Sequence, residues 1–556
     1  MLSPPTIGRA EWRWAVVVSG IVLLLSALPF ALAVIAAPAG WHFAGLLPNP
    51  LDGHSYLAKI QQGAGGTWLF HLPFTPEPHQ GATIFTFYLT LGHLSRWLGL
   101  TGVAVFHAAR LAAGLFMLLM AFRFIAIVTP QRRERRLAFV LLVTASGLGW
   151  LTVAFGAFPI DLWIPEAFTP YSLYANPHFP LAIGLMLLTL MHLLTASPLM
   201  RRTPEVAPLQ QGVNLDKGGT PPKPPGLRRY LGRLAGAALM GLLLALALPF
   251  ALLTLWAVVA AFVGWHTLTQ SRRLPTTQIW LTLGNVAGAA PVVLYQLWVS
   301  NSNPALAGWQ AQNLTPTPSV LNLLLGYGLL GLLALAGAWQ VIKQRPARPA
   351  EWLVLLWALV TLVLIFAPFS LQRRLITGLH VPLSILAALG LLRGLASLSL
   401  RRKTEGLIIG GAVGLGLLGT VFVWLLPLLA ALQGPESSPT AALLFIRQDE
   451  AAAFEWLRQH GAPDSVVLAS ERVGMFAPGQ SGVRVFYGHP FETLNAEDKR
   501  AQLERFFGGT LEMTSPRPDF VFYGPSERAL GQPSALDTFT PVFTAETVTL
   551  YAVPAE

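Results

Sequence analysis

Apolar runs of about twenty residues, the length a membrane-crossing helix needs, recur along the first three quarters of this chain. They lie near 14–37, 103–128, 137–157, 178–196, 231–248, 250–269, 277–299, 320–342, 351–369, 375–395 and 406–429. This predicts an α-helical polytopic membrane protein with about eleven spans, the fifth and sixth forming a tight hairpin at Leu248-Pro249-Phe250. The short run 83–99, TIFTFYLTLGHLSRWLG, holds His93 and Arg96, which predicts an amphipathic helix lying at the interface rather than crossing.

After about residue 440 the pattern changes. AAAFEWLRQHG and AEDKRAQLERFFGG read as helices, while SVVLAS, VRVFYG, DFVFYG, TPVFTA and TVTLYAV read as strands. Three regions follow: a multispan domain over 1–430 with a long first outer loop at 38–102, a Pro/Gly-rich inner linker at 197–229, and a small soluble α/β domain over 440–556.

Composition sharpens this picture. The chain is 53% hydrophobic and 11% charged, with mean hydropathy +0.55, against about 25% charged residues in soluble domains. It has no cysteine, which excludes disulfides, thiol nucleophiles and Cys-ligated metals. The net charge of +11 is split: 28 Lys+Arg against 10 Asp+Glu before Ala430, and 9 against 16 from there on. The basic residues lie between apolar runs, at Arg132, Arg133, Arg135 and Arg136, around Arg228 and Arg229, at Arg272 and Arg273, and at Arg401, Arg402 and Lys403. That is the positive-inside pattern of a membrane protein rather than a nucleic-acid surface. It puts the N-terminus in the cytoplasm, with the 38–102 loop and the C-terminal domain outside. The first run, Trp14 to Ala37, exceeds the apolar core of about 7–15 residues in a signal peptide and reads as an uncleaved span.

The outer face then holds four carboxylates before the tail: Asp52, Glu77, Asp161 and Glu166. Asp52, in NPLDGHSY, is flanked by Gly53, which permits a tight turn, and by His54 and Tyr56, with Lys59 one turn on. A carboxylate on partly dehydrated ground has its pKa raised toward neutrality, as a general base requires; the same Asp could cap the helix that follows. The segment PFSLQRRLITGLHVPL puts Arg373 and Arg374 at the outer end of a span, with His380 beyond. Two arginines at a lipid–water boundary can hold a phosphate by bidentate bonds, or snorkel among headgroups. DLWIPEAFTPYSLYANPHFPLAI carries Asp161, Glu166, Asn176 and His178 among aromatics, a composition that fits a saccharide and also an interfacial aromatic belt. His54, His71, His79 and His93 show no metal-ligand spacing, while Asp52 with Glu77 or Asp161 leaves room for a divalent cation, Mg or Mn. The Gly-rich GGAVGLGLLG lies within a span and reads as helix packing.

These features resemble the GT-C superfamily, multispan glycosyltransferases that use polyprenyl-phosphate-linked sugars. The resemblance rests on the long first outer loop with an acidic residue near its start, on FTFYLTLGHLSRWLG and ARLAAGLFMLLMAFRFIA after it, and on SLQRRLITGLHVPLSILAALGL late in the chain. It implies Asp52 as the base that activates an acceptor hydroxyl, with inversion at the sugar, and Arg373 and Arg374 as the carrier-phosphate site. His54, Tyr56, Lys59, Glu77, His79, Asp161, Glu166, Asn176, His178 and His380 are the pocket candidates. The partners implied are the lipid bilayer of a bacterial plasma membrane, a polyprenyl-phosphate-linked sugar and a lipid, glycan or protein acceptor. Leu51 and Gly53 stand beside Asp52 where other members carry a paired acid. A flippase for a lipid-linked substrate would need inverted repeats or mid-span charges; a scaffold with an outer binding domain would scatter the candidate residues.

Overall fold

The computed structural model describes residues 7–195, 227–271, 274–368 and 370–554. Nine segments among them are long and apolar enough to cross a membrane: Arg9–Ile35, Gly102–Val128, Arg132–Phe155, Tyr230–Ala247, Phe250–Gln270, Thr276–Ser302, Val320–Lys343, His380–Ser397 and Arg402–Leu432. Two shorter apolar helices, His178–Leu193 and Pro349–Leu364, pack into the same core, so a helix falls on each of the eleven apolar runs. The linker expected at 197–229 lies outside the described residues up to 226, as do Arg272 and Arg273.

Arginine-rich helix ends are pinned by ion pairs. Arg135 meets Glu11 at 2.5 Å, Arg133 meets Glu405 at 2.5 Å, and Arg393 reaches Glu351 at 2.6 Å and Glu134 at 3.2 Å.

Two spans depart from the expected pattern. The run 137–157 is not one helix: Arg132–Thr144 ends and the chain leaves helical geometry before the short Gly149–Thr152 turn. Its freed amides bond across the bundle, Ser146 to the Gly416 carbonyl at 3.1 Å and Leu148 to the Leu325 carbonyl at 3.0 Å, which keeps the break satisfied without water. Only glycine fits at 147, because a Cβ there would stand 2.0 Å from the Gly326 carbonyl oxygen. The last but one span starts later than expected: Gln372–Ile376 is a 3-10 turn and the helix begins at His380. Arg373 and Arg374 thereby sit on a turn before the helix rather than within it.

The first long loop is ordered. It forms a helix at Pro50–Ala64 and a second at Thr86–Leu98, which lies across it. The second helix buries Tyr88, Leu89, Leu91, Gly92 and His93 on the first and leaves Trp97 and Leu98 exposed. The two backbones meet at glycines: a Cβ on Gly92 would lie 2.1 Å from the Ile60 carbonyl oxygen, and one on Gly63 2.2 Å from that of Leu89. Gly92→Val is therefore expected to destabilise by about 1–3 kcal/mol through overpacking, seen as a lowered Tm of the detergent-solubilised protein.

Seven strands are present among the described residues. β1 (Trp41–Phe43), just after the first span, pairs antiparallel with β2 (Phe445–Arg447), just after the last. The others, β3 (Val466–Leu468), β4 (Arg484–Val485), β5 (Phe520–Tyr523), β6 (Thr540–Thr544) and β7 (Thr549–Ala552), form a sheet in the order β4-β3-β5-β7-β6, parallel at β4-β3-β5 and antiparallel beyond. Alternation along the strands feeds two cores. Val467, Val485 and Phe522 pack against the Gln448–His460 and Glu471–Ser481 helices on one face. Val466, Leu468, Phe486 and Val521 pack against Ala496–Phe507 on the other.

This α/β region is bolted to the first loop. Lys59, 1% exposed, pairs with Glu492 at 3.0 Å, and Ser55 donates to the same carboxylate at 2.5 Å. Lys499 pairs with Glu77, and Arg484 donates to the carbonyls of Thr75 and Glu77 at 2.6 and 2.5 Å. Loop and tail form one body, with the Pro50–Ala64 helix at its centre.

Candidate active site

Asp52 occupies the first turn of the Pro50–Ala64 helix. Pro50 opens the helix and Asn49, held at φ 47, takes the cap position, so Asp52 is not the cap that its sequence context allowed. Among the described residues its side chain accepts one hydrogen bond, from Asn49 Nδ2 at 2.5 Å. A half-buried carboxylate is thus left at the positive end of a helix, where negative charge is favoured.

One turn on, Tyr56 stacks on Tyr88 with centroids 4.4 Å apart and planes at 8°, and the Tyr88 hydroxyl meets His178 Nδ1 at 2.6 Å. Burial holds the Tyr56 hydroxyl well above its ordinary range; the charges of Asp52, Glu166 and Glu492 add to this and Arg374 opposes it. Tyr171, on the Thr169–Ala175 helix, is pushed up in the same way by burial and then by Asp52 and Glu166. Both phenols are neutral hydroxyls beside the carboxylates.

Arg373 and Arg374 come from the 372–376 turn, which is tethered through the Arg373 amide to the Thr315 carbonyl at 3.2 Å. The Arg373 guanidinium lies 5.0 Å from the Trp163 ring centroid, with Nε 4.0 Å from Glu166 Oε1. That Nε is buried and has no hydrogen-bond partner. Burial lowers the Arg373 pKa, Arg374 lowers it further, and Glu166 and Asp52 oppose the drop. Asp52 therefore acts on Arg373, and Arg374 on Tyr56. The first-loop and late-span motifs, more than 300 residues apart in sequence, share one electrostatic neighbourhood.

The other candidates divide. Glu166 belongs to this neighbourhood, and His178 touches its tyrosine pair. Asn176 is buried with its Nδ2 unpartnered. His380, also buried, accepts from the Thr169 amide at 3.4 Å. The rest are occupied structurally. His54 Nε2 bonds the Leu443 carbonyl at 2.9 Å, and burial brings its pKa down to about 4. Lys59 and Glu77 form the pairs that hold the tail. His79 accepts from the Leu72 amide at 2.8 Å and bonds the Glu77 carbonyl at 2.8 Å. Asp161 accepts from the Gly149 amide at 3.0 Å, with burial raising its carboxyl to about 7.

Sequence reasoning missed three residues: Trp163, Tyr171 and His489. His489 comes from the tail loop YGHPFETLN, is 2% exposed, and feels the charge of Asp52. The amides of Phe491 and Glu492 both donate to its Nδ1, at 3.1 and 3.2 Å. The ring proton must then sit on Nε2, which is buried and unpartnered. Burial also lowers the His489 pKa, and the charges of Glu492 and Asp52 oppose the drop. The signal for it lay only in a histidine beside a loop proline.

A divalent cation finds no ready cage. Among the described residues no group of three or more His, Asp or Glu side chains is placed to hold a metal. Glu77 is taken by Lys499, Asp161 by Gly149, and Glu166 faces Arg373. The positive charge beside the carboxylates is supplied by guanidinium.

No protein-family model and no curated protein matches the chain. Among solved structures it is similar to ArnT from Cupriavidus metallidurans bound to undecaprenyl phosphate, at 14% identity and TM-score 0.45, covering 96% of this chain and 98% of that one. The apo state of the same protein gives 14% and 0.47 with the same coverage. The Archaeoglobus fulgidus oligosaccharyltransferase, solved with Zn and sulfate, gives 13% and 0.47, covering 96% of this chain and 73% of that one. Both neighbours are GT-C glycosyltransferases.

Proposed function

We propose that this protein is a membrane glycosyltransferase that moves a sugar from a polyprenyl-phosphate carrier to an acceptor at the outer face of a bacterial plasma membrane. The observation that carries the proposal is the shared neighbourhood of Asp52 and Arg373, the latter with a buried and unpartnered Nε. Asp52 takes the proton from an acceptor hydroxyl as its oxygen attacks the anomeric carbon. The bond from that carbon to the phosphate oxygen breaks, its electrons stay on the phosphate, and the sugar is inverted. Arg373 and Arg374 stabilise the charge that develops on the leaving phosphate. Glu166 orients Arg373, and Trp163 offers a flat face beside it.

Release of polyprenyl phosphate by the purified protein tests this, using a panel of polyprenyl-phosphate-linked sugars with a membrane glycolipid extract as acceptor. Arg373→Ala/Arg374→Ala is expected to lower release by about 100-fold, as expected when charge-stabilising donors are removed. Equal release by the double variant would remove the phosphate site.

One observation favours a second reading, movement of a lipid-linked substrate. The chain breaks helix at Ala145–Leu148, Gly328 at φ 44 kinks the facing span, and buried Asp161 lies beside the break. Discontinuous helices around a buried carboxylate are a transporter feature. Asp161→Asn would abolish such movement and leave sugar transfer intact.

A further inference from the structure

A cavity of about 350 Å³ opens in the α/β region, away from Asp52. It is lined by Ser470, Glu471, Tyr487, Arg500, Glu504 and Ser526, with Leu503 and Leu530. Three of these lie just past the carboxyl ends of parallel strands, on the loops that leave them: Ser470 after β3, Tyr487 after β4 and Ser526 after β5. The strand order reverses about β3. The chain leaves β3 for the helix on one face and leaves β4 for the helix on the other. The strand ends therefore part, and such crevices are where open α/β sheets bind ligands.

The lining says which ligand. The turn after β3 reads Ala469-Ser470-Glu471, with no glycine-rich phosphate cradle and a glutamate at the first position of the following helix. Arg472, which also borders the cavity, is consumed elsewhere: it donates to both Glu450 oxygens, at 2.7 and 3.1 Å, and to the carbonyls of Ala442 and Phe445. Two carboxylates, Glu471 and Glu504, then face a single guanidinium, Arg500, which pairs with Glu504 at 3.0 Å. That balance repels a phosphate or nucleotide. The lining brings these acceptors and this donor together with the hydroxyls of Ser470, Ser526 and Tyr487 and a phenol ring; Ser470 Oγ also accepts from the Val473 amide at 3.4 Å, and the Tyr487 hydroxyl bonds the Glu471 side chain. Vicinal hydroxyls match this pattern, because each gives one hydrogen and takes another. The volume lies at the lower end of small-molecule pockets, about 300–1,000 Å³, which suits a mono- or disaccharide.

We propose that this cleft is a saccharide-binding site separate from the Asp52 site, taking a neutral sugar through Glu471, Arg500 and Ser526. The buried Glu527 carboxylate keeps the cleft shaped. It accepts from the Ser470 amide at 2.7 Å and the Gly524 amide at 3.0 Å, and so ties together the loops after β3 and β5. The Glu471–Ser481 helix also runs from the cleft to the Pro50–Ala64 helix, where Gly479 packs on Leu57 and Ala58.

The test is a printed array of neutral and anionic mono- to tetrasaccharides, probed with fluorescently labelled full-length protein in detergent. Wild type is expected to retain at least one neutral saccharide. Glu471→Gln/Arg500→Ala is expected to lose that signal at least tenfold, and so is Ser526→Trp, which fills the cleft from its half-exposed side. Asp52→Asn should retain it in full, so a failed transfer reading leaves this result untouched. The proposal is overturned if no saccharide is retained, if both cleft variants retain the same ones as wild type, or if the signal disappears with Asp52→Asn but not with the cleft variants.

Discussion

Asp52→Asn is expected to reduce sugar transfer by about 10²–10⁴-fold, the usual contribution of a positioned general base, in a protein that still folds and still holds its carrier. The substitution keeps the shape of the side chain and an oxygen for the Asn49 amide, and removes only the charge and the basic lone pair. Asp52 makes no ion pair among the described residues and is not the helix cap, so losing its charge costs only the interaction with the helix end, about 0.3–1 kcal/mol. The neutral hydroxyls of Tyr56 and Tyr171 cannot replace it: burial and the neighbouring carboxylates make both reluctant to ionise. Turnover measured beside Tm separates the outcomes. Lost turnover at unchanged Tm assigns the base, and undiminished turnover removes Asp52 from the mechanism.

The second large effect is structural. Lys59→Met leaves Glu492 as an uncompensated charge on the seam between the first loop and the tail, which costs about 3–5 kcal/mol for a buried pair. Lys59→Met/Glu492→Leu is expected to regain most of that, because an apolar pair of similar volume replaces a buried ion pair at little cost. Chemical denaturation in detergent, with proteolysis of the tail as a second readout, checks both. If the double variant is as unstable as Lys59→Met, the pair is not what joins these regions.

Acid should loosen the same seam. Burial alone would raise Glu492, but the Lys59 and His489 charges and the Ser55 and Lys59 hydrogen bonds outweigh it and lower its pKa. Its stabilisation is thus complete above the ordinary carboxyl pKa of 4.5 and fades as pH falls through its lower folded value. His54 acts in the same direction. Burial depresses its pKa from 6.5 to about 4, so its neutral contact with Leu443 is fully favourable above 6.5 and weakens between 6.5 and 4. Stability should fall from pH 7 to 4, and His54→Gln should flatten the upper part of that fall.

The apolar runs were legible because a lipid-facing helix must be apolar along its whole length, and every one of them carries a helix. What resisted reading was local. The break at Ala145–Leu148 depends on carbonyls of Gly416 and Leu325, far away in sequence. The Glu471–Ser481 helix was hidden by Pro478 and its glycines, which lower helix propensity yet let it lie close to Leu57 and Tyr487. At the site, Asp52 and the arginine pair stood out because charge is scarce on apolar ground. Lys59, Glu77 and His54 stood out for the same reason, and the structure spends them on the seam. Charge type in a sequence does not say which partner awaits it. His489 and Trp163 were invisible because ordinary residues become special only by where the chain folds them.

On the proposed function, Asp52 and the Arg373–Arg374 turn are two halves of one site, one for the proton and one for the carrier. Mass spectrometry of lipids copurifying with wild type, Asp52→Asn and Arg373→Ala/Arg374→Ala tests it most directly. The expected result is a polyprenyl phosphate enriched with wild type and with Asp52→Asn, and lost from the arginine double variant. Bulk phospholipid alone in all three, or carrier retained without the two arginines, would contradict it.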